Sequence, residues 1–180
     1  YYVTSILIHT GLRFGELSAL ETTDIDTKNL TIRISKTYDS INDIVTTPKT
    51  DNSKRTIHIQ PDLLLELKKC LLWRNEMMLA NNIRSGLLIP NIKTGEHLQI
   101  AGYEKYLRVT SEKLLGRHVT PHMLRHTHAS LLAANGMTPD EIARRLGHSK
   151  STITSKIYIH VTQKVIENDN RKLDQIKLFS

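Results

Sequence analysis

The strand-like patterning of this chain falls between residues 30 and 59, and helical patterning flanks it on both sides. Leu30-Thr31-Ile32-Arg33-Ile34 alternates apolar and polar side chains with period two, as a half-buried strand does. Asp43-Ile44-Val45-Thr46 and Arg55-Thr56-Ile57-His58-Ile59 have the same β-branched character. Between these two runs lies Thr47-Pro48-Lys49-Thr50-Asp51-Asn52-Ser53, rich in turn formers. Together they predict a small antiparallel sheet with an exposed, basic hairpin tip.

Upstream, Val3, Ile6, Leu7, Leu12, Leu17 and Leu20 suit two helices broken at Gly11. Downstream, Pro61-Asp62 opens a long helix through about Ala80, with Asp62 as its cap. Residues 81–98 read as irregular, broken by Gly86, Pro90 and Gly95. Helical patterns return at about 101–115, 121–134, 139–146, 151–158 and 162–177. Thr120-Pro121 and Thr138-Pro139 each read as a cap followed by proline at the first helical position. The expected fold class is therefore mainly α with a small antiparallel β-sheet (α+β). The expected organisation is one domain over residues 1–180, with 161–180 a C-terminal tail helix. The start at Tyr1-Tyr2-Val3, with no initiator methionine and already inside an apolar pattern, suggests an N-terminally truncated fragment.

Charge and cysteine use narrow the function. A formal net charge of +7 before any histidine contributes favours a polyanionic partner, DNA foremost, although a merely solubilising surface gives the same total. The single cysteine, Cys70, permits neither an internal disulfide nor a cysteine-rich zinc site, and its apolar surroundings mark it as a buried hydrophobe. No apolar run approaches the roughly 18 residues that cross a bilayer, and no signal peptide is evident, so a reducing, cytoplasmic setting without a membrane partner is expected.

Four local groups carry candidate chemistry. Arg13 lies between Gly11 and Gly15 at the start of a helix, a place that suits an anion, although taken alone a surface pair with Glu16 is the readier reading. His122 and Arg125 share a helix face, where an anion between them would relieve their mutual repulsion and match the guanidinium fork. His122, His126 and His128 also invite a metal reading. Position 123 is methionine, however, so the glutamate of a zinc helix is missing, and no further ligand is near in sequence. His148 follows Leu146-Gly147 at a helix end, as a cap or as a donor to an oxyanion. Tyr158 would be a poor nucleophile, with a phenol pKa near ~10, unless a cluster of cations and bases helps it ionise.

In order and combination these residues resemble the tyrosine recombinases, especially integrases of phages and bacterial mobile elements. The matching words are Thr10-Gly11-Leu12-Arg13 with Glu16-Leu17, Lys49 in the hairpin, His122 with Arg125, Leu146-Gly147-His148, and then Tyr158. The resemblance implies the tyrosine recombinase catalytic-domain fold and a set of roles. Arg13 and Arg125 would clamp the scissile phosphate, His122 and His148 would add hydrogen bonds, and Tyr158 would attack phosphorus. Lys49 would protonate the leaving oxygen, with Lys54 an alternative in the same hairpin. Tyr103 and Tyr106 precede the His122 and Arg125 pair and are out of order for the nucleophile. Glu16 matches an acidic residue taken to orient the arginine region. No cofactor, metal or ATP is implied. The implied partners are double-stranded DNA, a homo-tetramer on paired sites in the full-length protein, and accessory DNA-bending or excision factors.

Three rival readings remain. Thr138 to Ile153 reads as a helix-turn-helix DNA-binding motif, which leaves Arg13, the lysine hairpin and His122 with Arg125 unexplained. A type IB topoisomerase would share the tyrosyl chemistry. A metal-dependent hydrolase would rest on the histidines.

Overall fold

The computed structural model describes residues 1–47, 54–148 and 158–159. Helix α1 (Tyr2–Thr10) ends at Gly11, whose φ of +66° lets its N–H turn back to the Leu7 carbonyl at 2.9 Å. A short helix α2 (Phe14–Ser18) follows. A 3₁₀ turn (Thr22–Asp24) then leads into β1 (Ile25–Asp26), β2 (Thr31–Ile34), β3 (Thr37–Asp39), β4 (Ile44–Thr46) and β5 (Arg55–His58). The remaining elements are α3 (Pro61–Ala80), α4 (Ile100–Leu115), α5 (Pro121–Ala134) and α6 (Pro139–Leu146).

The fold is mainly α with small antiparallel sheets, as expected, but the strands divide in two. β1-β2-β5 form one antiparallel sheet, in which Ile32 stands opposite Ile57 and both are buried. β3 and β4 pair only with each other, with Tyr38 opposite Val45. The division follows from burial: Ile44 and Val45 are exposed, so β4 has no place over the core, whereas Ile57 and Ile59 have one. β1 and β3 hold only two and three residues and lack the β-branched run that marks β4.

The helix boundaries follow their cap signals. The Thr120 and Thr138 hydroxyls accept from the backbone N–H groups of Met123 and Glu141, with proline next in each case. The exception is Asp62: Gln60 occupies the N-cap of α3, so Asp62 lies within the first turn, where its charge favours the helix dipole without capping it. Leu63, Leu67, Cys70 and Arg74 form the buried stripe of α3, so Cys70 is the inert apolar residue expected. Burial pushes its thiol up to about 12.

Arg74 also organises the irregular stretch. Its Nε donates to the Leu87 carbonyl at 2.6 Å, and its guanidinium bonds the Ser85 carbonyl as well. A bridge between Glu21 and Leu87 ties the same stretch to the sheet region.

One core joins α1, the β1-β2-β5 sheet and α3 through Ile6, Leu7, Ile32, Ile34, Ile57 and Leu63 among others. A fully buried aliphatic side chain of this kind contributes about 1.5–3 kcal/mol. A smaller apolar cluster of Ala129, Ala133, Ile142 and Leu146 joins α5 to α6. Among the described residues no helix is long and apolar enough to cross a membrane. Lys49, the hairpin tip, the second half of the helix-turn-helix reading and the tail at 161–180 lie outside the described residues.

Candidate active site

Three helix ends meet at one place. The end of α1 is brought close by Gly11, where a Cβ would lie 2.6 Å from both His128 Cδ2 and Leu146 Cδ2. Helix α5 contributes His122 and Arg125, and α6 ends at Gly147 just before His148. α2 comes close to β3 at Gly15, where a Cβ would lie 2.6 Å from the Tyr38 carbonyl.

Carbonyl groups at helix ends have no partner inside the helix. Here arginines satisfy them. Arg125 donates from Nη1 to the Gly11 carbonyl at 2.6 Å and from Nη2 to the Leu146 carbonyl at 2.7 Å, while only 3% exposed. Arg55 Nε donates to the Arg145 carbonyl at 2.7 Å. The negative end of each helix dipole favours these cations.

One buried carboxylate holds two of the arginines. Glu16 is 3% exposed, and its Oε1 accepts from Arg13 Nη1 at 2.9 Å and from Arg55 Nη1 at 3.0 Å. Its Oε2 accepts from the Arg13 backbone N–H and from Arg55 Nη2, each at 2.9 Å. Burial alone would raise the Glu16 carboxyl, but the hydrogen bonds and charge of Arg55, then those of Arg13, hold it below the usual range. The anticipated Arg13–Glu16 pair is therefore present, yet it is half of a buried triad and leaves the Arg13 side chain 45% exposed.

Arg13, His122, Arg125 and His148 line a single cavity of about 130 Å³, together with His126, Ala129 and Leu146. An adjoining cavity of about 360 Å³ shares Arg13, His122 and Arg125 and extends along Gly15, Tyr38 and Thr120. Three guanidiniums against one carboxylate leave the surroundings of the smaller cavity near +2. Burial, then the charge of Arg13, brings the Arg125 guanidinium down to about 9, which still leaves it charged at neutral pH. Burial and neighbouring arginines bring His148 down to about 4. His122 is lowered by burial, then by His126 and Arg125. Both imidazoles are thus neutral at pH 7, able to donate from one nitrogen and accept at the other.

One residue behaves differently from the local reading. His122 and His126 meet edge to face with ring centroids 4.5 Å apart, but His128 turns away from them. Its Nδ1 donates to the Ile8 carbonyl at 2.8 Å, and its Nε2 accepts from Arg145 Nε at 3.2 Å. The three histidines therefore do not converge as ligands would. Arg55 and Arg145 were not singled out from the sequence. For Arg55 a signal existed: the alternation that buries Ile57 and Ile59 places residue 55 on the same face, and an arginine there needs a carboxylate.

Tyr158 is half-buried and helical, and packs against the cluster of Ala129, Ala133, Ile142 and Leu146. Ala129 and Leu146 also line the small cavity. Tyr103 is bound elsewhere, with its hydroxyl 2.9 Å from Thr4 Oγ1 and its ring stacked on Phe14.

Residues 1–164 match the model of the phage integrase family. The chain belongs to that family. Its relatives include the integrase of Staphylococcus phage L54a, 35% identical over 93% of this chain and 49% of the relative. A tyrosine recombinase XerC-like protein of Caldanaerobacter subterraneus subsp. tengcongensis is 30% identical over 93% of this chain and 47% of its own length. The chain thus spans about half the length of these relatives. Among solved structures, the Tn1549 transposon integrase in complex with transposon right end DNA superposes with a TM-score of 0.74 at 24% identity. The match covers 97% of this chain and 58% of that one, so the fold is that of a tyrosine recombinase catalytic domain.

Proposed function

We propose that this chain is the catalytic domain of a site-specific DNA recombinase that integrates or rearranges phage or mobile-element DNA. The observation that carries the reading is the convergence of Arg13, His122, Arg125 and His148 on one cavity whose surroundings carry net positive charge. A phosphodiester brings one negative charge, and its pentacoordinate transition state a second, which matches cations held in place before reaction.

In this mechanism Arg13 and Arg125 bind the non-bridging oxygens of the scissile phosphate. Tyr158 Oη attacks phosphorus as its proton passes to neutral His122, while His148 donates a hydrogen bond to a phosphate oxygen. The P–O5′ bond breaks, Lys49 protonates the departing 5′ oxygen, and a 3′-phosphotyrosyl enzyme remains. Attack by a 5′-hydroxyl of another strand reverses these steps. The tyrosyl ester conserves the energy of the phosphodiester, so religation needs no ATP, and the arginines supply the charge that a metal would otherwise provide. The full-length protein would act in the cytoplasm on double-stranded DNA, as a homo-tetramer on paired sites, with DNA-bending or excision factors assisting.

The related Tn1549 integrase is seen with DNA, which supports duplex DNA as the partner here. The test is a nicked suicide duplex carrying the parent element's crossover site, incubated in chelator with the wild-type protein and with Tyr158→Phe. A denaturation-resistant adduct with wild type alone is expected. Binding without any adduct would favour a helix-turn-helix binding protein, and loss of activity in chelator would favour a metal hydrolase.

A further inference from the structure

Arg55 is only 6% exposed at its side chain and makes a bidentate pair with Glu16, which is itself 3% exposed. The pair links residues 39 apart in sequence, from the first residue of β5 to the middle of α2. The third arm of the guanidinium, Nε, reaches the Arg145 carbonyl at the end of α6. One side chain thus joins the strand that follows Lys49 in the sequence, the carboxylate behind Arg13, and the helix that precedes His148.

The electrostatics give this junction a purpose. A buried carboxylate with only Arg13 beside it would form a closed ion pair, because desolvated opposite charges attract strongly. Arg13 would then be drawn onto Glu16 and its charge cancelled where an anion must bind. With Arg55 in place, the four hydrogen bonds to Glu16 are divided between two arginines, and only one of them reaches it from the Arg13 side chain. A guanidinium offers five N–H donors, so Arg13 keeps donors for a second anion.

We infer that Arg55 is a positioning residue for the recombinase reaction: it neutralises Glu16 so that the Arg13 guanidinium is not cancelled by that carboxylate and stays available to the scissile phosphate. The inference rests on the proposed strand-transfer function, and concerns a buried residue that lines neither of the two cavities described above.

Charge counting makes it testable. Wild type carries three guanidiniums and one carboxylate around the site, net +2. Arg55→Met lowers this to +1, and Arg55→Met combined with Glu16→Gln restores +2 with both partners gone. The measurement is the single-turnover rate of adduct formation on saturating nicked suicide duplex, with DNA affinity and thermal midpoint recorded for each variant. Arg55→Met is expected to slow adduct formation by about a hundredfold, in the range seen when one transition-state donor is lost, with DNA affinity changed no more than about threefold. Adding Glu16→Gln should recover at least about tenfold of that loss. Arg55→Lys, which keeps the charge but not the bidentate grip, should fall between. It also serves as the reading if Arg55→Met does not fold.

An Arg55→Met rate equal to wild type, or a folded Arg55→Lys slowed by the full factor of about a hundred, would overturn the inference. So would a double variant as slow as the single one while equally folded, since geometry and not charge would then be at stake. If wild type itself forms no adduct, the strand-transfer reading fails first, and the Arg55 inference falls with it.

Discussion

Gly11 has φ +66°, and a Cβ built on it would lie 2.6 Å from His128 Cδ2 and from Leu146 Cδ2. Gly116, which ends α4, has nearly the same backbone, φ +63°, but a Cβ there meets no atom within 4 Å. The two glycines separate backbone strain from packing. Left-handed backbone costs an L-residue about 1 kcal/mol. Forcing an extra methyl into a filled interior adds roughly 1–3 kcal/mol. Gly116→Ala should therefore cost about 1 kcal/mol and Gly11→Ala about 2–4 kcal/mol. For a domain of this size each kcal/mol lowers Tm by about 2–4 °C. Thermal denaturation followed by circular dichroism should show a drop of about 2–4 °C for Gly116→Ala and roughly 4–16 °C for Gly11→Ala. Gly11→Ala should also slow DNA cleavage, because the Gly11 carbonyl accepts from Arg125. Equal Tm losses in the two variants would refute the claim that the end of α1 is packed tightly against α5 and α6.

Other expectations follow from the caps and the histidines. Thr138 and Glu141 form a reciprocal box at the start of α6, with the Thr138 backbone N–H donating to Glu141 Oε2 at 2.8 Å. Thr138→Ala should cost about 1 kcal/mol in a urea melt, and no loss of stability would mean that α6 does not depend on this cap. His128 is 4% exposed, and burial, then Arg145, brings its pKa down to about 4. Below the unfolded value near 6.5 the unfolded chain takes up a proton that the native state refuses, so stability should fall as pH drops from about 6.5 toward 4. Between pH 7 and pH 5 this amounts to about 2 kcal/mol from His128, with half-buried His148 acting in the same direction. Glu16, whose carboxyl is lowered, loses its contribution only at still lower pH, as the pH falls through its native value. A flat stability profile over pH 5–7, or the same slope in His128→Gln, would contradict this assignment.

Most of the fold was legible where a local rule governs it. Proline at the first helical position marked the starts of α5 and α6, and Pro61-Asp62 marked the start of α3, although its cap is Gln60 and not Asp62. The division into two sheets was not legible, because β-branched residues serve an exposed ribbon such as β4 as well as a core strand such as β5. Four candidate site residues, Arg13, His122, Arg125 and His148, are singled out by their order along the chain, and the structure brings those four to one cavity. What order could not reveal was what holds them. The Glu16–Arg55 pair, the Arg55 bond to the Arg145 carbonyl and the Arg125 bond to the Gly11 carbonyl span 39, 90 and 114 residues. No local pattern encodes contacts at such separations. His128 shows the opposite error. Its spacing placed it with His122 and His126, but on a helix a residue six positions beyond His122 points to another side, here toward Ile8 and Arg145.

The most direct test of the central claim is to find the atom that joins protein to DNA. The trapped adduct would be digested with nuclease and then with trypsin, and the modified peptide sequenced by mass spectrometry. Cleavage after Lys156 and Lys164 releases residues 157–164, with Tyr158 as the only tyrosine. A nucleotide remnant esterified to Tyr158 in that peptide is the expected result. A remnant on Tyr103, Tyr106 or any other side chain, or cleaved DNA with no protein attached, would contradict it.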